Sequence, residues 1–178
     1  MRTDIKEVEM AQSKIVKTHM GVWYSLAVAR LLLAGVFLWA FFDKLFGLGL
    51  ATPAARAWVN GGSPTTGFLK NVEGPFAGVF APLAGQPWAD WLFMIGLLGI
   101  GVALLLGIGV RIAAASGGVL MFLMWCASLP LENNLWVDDH LVYIAVLAAL
   151  AYGAANQKWS LGTWWQSLPQ VKKNRWLW

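Results

Sequence analysis

The chain has 178 residues, 58% of them hydrophobic and 12% charged, with a mean hydropathy of +0.60 and a formal net charge of +4. This composition excludes a disordered or fibrous chain and suits one compact membrane domain. Its single cysteine, Cys126, excludes an intrachain disulfide and a thiolate metal site.

Residues 1–20 form an N-terminal amphipathic segment. Ile5, Val8 and Ile15 fall near one face of a helix over residues 3–18, which is expected to lie on the inner membrane surface. The segment is too charged for a cleavable signal peptide, so the first apolar run is expected to serve as an uncleaved targeting signal. Gly21 and the Trp23-Tyr24 pair mark entry to the bilayer, where Trp and Tyr favour the interface.

A transmembrane domain follows over residues 21–158, with helices predicted near 22–42, 91–110, 112–131 and 139–156. The first carries one charge, Arg30, and the second and third apolar runs carry none before Arg111 and after it. About 20 helical residues cross a hydrocarbon core of about 30 Å. The fourth run, residues 141–155, reaches that length only with its flanks. Lipid offers no partner to backbone amides, so helices are the expected form. The fold class is therefore all-α, an integral membrane four-helix bundle. Ten of the 13 Lys and Arg residues fall on one side if the N-terminus is cytoplasmic, and only Lys44, Arg56 and Lys70 on the other. That asymmetry puts both termini in the cytoplasm and makes the basic excess a topology signal, with no nucleic-acid partner.

Between the first two helices lies an extracytoplasmic insertion, residues 44–89. A short interfacial helix is predicted at 53–60, a turn at Asn60-Gly61-Gly62-Ser63-Pro64, and further helix over 65–83 broken at Gly74-Pro75 and Pro82. A connection this long without function is uncommon, so it is expected to form a lid on the outer face. Small residues in the second and third helices, from Gly96 to Gly118, allow close helix approach. Residues 159–178 make an aromatic and basic cytoplasmic tail suited to the inner headgroup layer.

Arg30 stands about 12 Å of helical rise into the first helix, where a charge is a functional candidate by default. Its alternatives are snorkelling to the headgroups and pairing with a helix end. Glu132, Asn133, Asn134, Asp138, Asp139 and His140 crowd one outer turn. An imidazole beside carboxylates makes a proton relay, which a quinone needs because its reduction takes up two protons with two electrons. His140 and Asp139 are thus the catalytic candidates, with one of the Asp residues capping the fourth helix. Lys44 and Arg56 are outer cations for an anionic substrate. Asn60, Gly61, Gly62 and Ser63 offer loop amides, with Ser63 an N-cap and Pro64 at the first helical position. Arg30, Lys44, Arg56, Asn60, Gly61, Gly62, Ser63 and Glu132 make up the substrate- or quinone-binding set. His19 and His140 are expected on opposite sides of the membrane, which leaves no paired ligands for a haem, and one cysteine cannot hold an iron–sulfur cluster, so no haem, iron–sulfur or metal site is expected.

The first helix, ARLLLAGVFLWAFFDKLFGLG, and the loop AWVNGGSPTTGFL resemble the DoxX/DoxD family of bacterial and archaeal membrane proteins. WVDDHLVYIAVLAALA and the tail SLGTWWQSLP fit the same pattern, so the likeness covers nearly all of the chain after the first 20 residues. In that family the DoxD-type member is the membrane subunit of a thiosulfate:quinone oxidoreductase. It is paired with a smaller subunit that has its own anchor and an outer domain. The resemblance implies a multi-pass protein of the prokaryotic plasma membrane with quinone as co-substrate and thiosulfate or another small sulfur anion as donor. The matched positions are Arg30, Lys44, Asn60, Gly61, Gly62, Ser63, Pro64, Asp139 and His140.

An alternative is a non-catalytic accessory or scaffold subunit of a larger respiratory complex, which the Gly/Ala-rich faces and the aromatic tail favour. Either reading expects the bilayer and another membrane subunit, or a homo-oligomer, as partners. A transporter ranks last, because no broken helix pair or inverted repeat is evident.

Overall fold

The computed structural model describes the backbone of residues 2–178 and the side chains from Met20 onward. Among these residues all regular structure is helical. Four long helices carry the fold: α1 (Arg2–Phe46), α2 (Pro87–Leu106), α3 (Val110–Ala127) and α4 (Asp139–Tyr152). Among the described residues three segments are long and apolar enough to cross a membrane: Met20–Phe46, Pro87–Leu106 and Val110–Ala127. The 14 residues of α4 are apolar but shorter.

The helical backbone runs unbroken through Gly21. The predicted amphipathic face of Ile5, Val8 and Ile15, and His19 with it, lies outside the described side chains.

The observed boundaries differ from the predicted ones for local reasons. Helix α2 starts at Pro87, whose fixed φ and missing N–H suit a first turn. It stops at Leu106, short of 110, because Gly107 takes the left-handed conformation with φ +66°. Helix α3 ends at Ala127 and not at 131, since Pro130 disfavours helix in the residue before it. Helix α4 ends at Tyr152, and a single 3-10 turn, Ala154–Asn156, replaces the predicted last turn. The insertion has 3-10 turns at Ala54–Arg56 and Trp58–Asn60 in place of one interfacial helix. Beyond them it has short helices at Thr66–Leu69 and Ala77–Phe80, separated near Gly74 and Pro75.

Packing follows sequence order. Helix α1 lies along α2, α3 along α4, and α2 against α3, while α1 and α4 touch more sparingly. On α1 the buried positions Ala27, Arg30, Ala34, Phe37 and Phe41 recur every three or four residues, one face of a helix. The helices converge on glycines. A Cβ on Gly117 of α3 would lie 3.1 Å from Leu147 of α4, 3.3 Å from Ile100 of α2 and 3.5 Å from Phe37 of α1. The opposite faces are equally apolar: Leu32 is 67% exposed and Leu92 66%. A helix apolar on all sides that is not covered by protein is suited to lipid.

A second cluster joins the insertion to the bundle, with Leu69, Val72 and Phe80 packed against Cys126 and Ala127 at the end of α3. Cys126 is thus a small buried apolar residue. At the opposite end, the tail folds back in short helices at Gly162–Ser167 and Pro169–Lys173 and reaches α3 through Trp178.

Candidate functional site

Under the insertion lies an apolar cavity of about 350 Å³. Its roof is Pro64, Thr65, Phe68 and Phe80, and its walls are Leu92 and Phe93 of α2 and Leu123 and Met124 of α3. Among the described residues, Lys44 is the sole charged one lining it. The Lys44 ammonium sits 6.0 Å above the Phe93 ring, within the range of a cation–π contact. The cavity therefore combines an apolar interior with one cationic donor at its edge.

Asp90, in the first turn of α2, holds the roof in place. Its buried Oδ1 accepts from the Ser63 hydroxyl at 2.8 Å, the Thr65 hydroxyl at 2.6 Å and the Thr65 amide at 3.1 Å. The Thr66 hydroxyl in turn accepts from the Gly85 amide at 2.8 Å. Neither Asp90 nor Thr65 stood out in the sequence as more than an outer acid and a loop residue. The pairing joins positions 25 residues apart and leaves no local pattern.

The loop residues serve the turn. The amides of Asn60, Gly61 and Gly62 donate to the carbonyls of Ala57 and Trp58, which removes them from anion binding. The Asn60 side chain donates to the Ala54 carbonyl at 2.8 Å. Gly61 is left-handed at φ +85°, and a Cβ on Gly62 would collide with the Arg56 carbonyl, so both glycines are required by backbone geometry. Ser63 accepts from the Thr66 amide at 3.1 Å, but the short helix begins at Thr66 and not at Pro64. The Arg56 residue is exposed.

His140 lies in the first turn of α4. Its Nδ1 is 2.7 Å from Asp138 Oδ2 and 3.6 Å from Asp139 Oδ1. Asp138 also caps the helix, its Oδ1 accepting from the Leu141 amide at 3.3 Å. The nearer partner of His140 is therefore Asp138, which both caps and orients the imidazole, while Asp139 is 66% exposed. Ligand atoms of the three residues lie within 4.8 Å of one another, close enough for a cation, though Asp138 is committed to cap and imidazole. Glu132 is exposed and is not one of the three residues whose ligand atoms cluster, and Asn134 is used within the turn, accepting from the Trp136 and Val137 amides. His140 does not line the cavity, so the two candidate centres are separate.

Arg30 is fully buried at the other end of the bundle. Its guanidinium donates to the carbonyls of Leu104 and Leu105, the last turn of α2, and to Lys158 at 3.1 Å and Trp159 at 2.8 Å. Of the alternatives open in the sequence, pairing with a helix end is the one present. The cation satisfies the Leu105 carbonyl, shares the Leu104 carbonyl with the Gly107 amide, and complements the dipole of the helix end. Asp43 is also buried, and among the described residues neither of its side-chain oxygens has a hydrogen-bond partner. No family model, curated protein or solved structure matches the chain.

Proposed function

We propose that this protein is a DoxX-like membrane subunit of a quinone-linked oxidoreductase, with four helices in the prokaryotic plasma membrane and both termini in the cytoplasm. The single observation that carries the reading is the apolar cavity of about 350 Å³ edged by Lys44. A quinone has a flat apolar ring and two carbonyl oxygens. The ring suits Phe68, Leu92 and Phe93, and a carbonyl suits the Lys44 ammonium. Entry would be lateral, from the lipid beside α2 and α3, under the roof held by Asp90.

Reduction takes up two electrons and two protons. The His140–Asp138 pair is a proton relay at the start of α4, with Asp138 fixing the imidazole so that Nε2 faces away from the cap. Because His140 is outside the cavity, the relay would act through water or through movement of the insertion. The electrons would come from thiosulfate or another small sulfur anion, met by Arg56 and Lys44 or delivered by a companion subunit. His140→Ala is expected to abolish quinone reduction in reconstituted membranes while leaving the melting temperature within a few degrees of wild type. Full turnover in that variant would remove His140 from the mechanism.

A second reading, an accessory or scaffold subunit, is favoured by a wide apolar groove of about 780 Å³ between α1 and α4. Gly21, Ser25 and Ala29 face Ala145 and Ala149 there, small residues of the kind found where membrane helices meet. Under that reading the purified chain retains no quinone, and turnover resides wholly in a partner.

A further inference from the structure

We propose that the folded C-terminal tail is a docking surface for anionic phospholipid headgroups. From Gly153 to the last residue the sequence holds Lys158, Lys172, Lys173 and Arg175 and no Asp or Glu. The tail thus carries a local positive charge that its own sequence does not offset.

Three contacts fix the tail's height at the ends of the apolar spans. The Leu161 amide donates to the Leu106 carbonyl at 2.8 Å, at the end of α2. The Arg111 amide donates to the Trp178 carbonyl at 2.6 Å, at the start of α3. The Trp159 ring lies 5.3 Å from Tyr24, near the start of the span Met20–Phe46. A segment tied to the ends of three apolar spans sits where hydrocarbon gives way to headgroups.

The tail's interior and exterior are sharply different. Inside, the Trp178 ring is flanked by the Arg111 and Arg175 guanidinium groups, each 5.4 Å away, and Val171 is buried. Trp165 donates to the Leu177 carbonyl at 2.7 Å. Outside, Trp159, Trp164 and Trp176 are each more than half exposed, and Lys172 and Lys173 are exposed as well. A soluble oxyanion would neutralise the lysines but leave three indoles in water. A lipid surface satisfies both, with the indoles at the headgroup level and the ammonium groups on phosphate. Charge complementarity selects anionic over zwitterionic headgroups.

The test uses the full chain in detergent, equilibrated with equal amounts of phosphatidylglycerol and phosphatidylcholine, with retained lipid read by native mass spectrometry. The wild type is expected to retain phosphatidylglycerol in preference. In Lys172→Gln with Lys173→Gln the preference is expected to fall by roughly fivefold for each cation removed. Lys172→Arg with Lys173→Arg is expected to keep it. Both pairs are exposed, and melting without lipid checks that each variant folds. Equal retention of the two lipids by wild type, or an unchanged ratio in the glutamine variant, would overturn the proposal. Displacement of phosphatidylglycerol by millimolar inorganic phosphate would overturn it too, by making the site one for free oxyanions.

Discussion

Arg30 shows how a charge can be placed inside an apolar helix at tolerable cost. An isolated cation in hydrocarbon is expensive, but this one donates to four backbone carbonyls, two in the last turn of α2 and two in the bend at Lys158 and Trp159. Charge-assisted bonds to carbonyls are stronger than neutral ones, and their loss leaves buried acceptors unpaired. Arg30→Leu is therefore expected to destabilise the fold by roughly 3 kcal/mol or more. Its melting temperature in detergent would drop clearly, whereas a substrate-binding role alone would change affinity and leave melting unaltered. The acids at the start of α4 divide in the same way. Asp138→Ala removes a cap worth about 1 kcal/mol and frees the imidazole. It is expected to cost both stability and turnover. Asp139→Ala, altering an exposed group 3.6 Å from the ring, is expected to cost little of either. Equal effects of the two variants, by melting and by quinone reduction rate, would contradict the assignment of Asp138 as the orienting group.

At the scale of elements, the insertion behaves as a built lid. Apolar contact with Cys126 and Ala127 seats it on α3, and hydrogen bonds to Asp90 pin it to the first turn of α2. The two attachments differ in kind, so they can be separated. Asp90→Ala removes the acceptor for two hydroxyls and one amide but touches none of the apolar contacts. Hydrogen exchange is expected to quicken by tenfold or more over residues 61–69, with the amides of α3 unchanged. Uniform quickening across the bundle would mean that Asp90 stabilises the whole fold and is not a latch for the roof.

For the molecule as a whole, the two ends are differently built. One end is closed by Arg30 and the folded tail, while the other holds the cavity, the lid and His140. Much of this division was legible in the sequence. Apolar runs of bilayer length announce the three spans, because a helix facing both protein and lipid must be apolar all round. The breaks at Gly74-Pro75 and the capping by one Asp before His140 were likewise local signals. Helix ends were less legible. Left-handed Gly107 stops α2 although apolar residues continue beyond it, so hydropathy alone overran the boundary. The partners of Arg30 were not legible at all, since they are backbone carbonyls 74 to 129 residues away, which carry no side-chain signature. The same holds for the Asp90 latch and for a cavity whose lining comes from Lys44, the insertion, α2 and α3.

The central claim, that a quinone ring occupies the cavity beside Lys44, is tested most directly by photolabelling. The full chain in nanodiscs would be irradiated with a short-tailed azidoquinone and the labelled peptides mapped by mass spectrometry. The predicted labels fall on residues 64–69, 88–93 and 120–127, are competed by unlabelled quinone, and weaken by about tenfold in Lys44→Gln, the loss of one charge-assisted hydrogen bond. Labels confined to the groove of residues 21–29 and 142–149, or labels that unlabelled quinone does not displace, would contradict it.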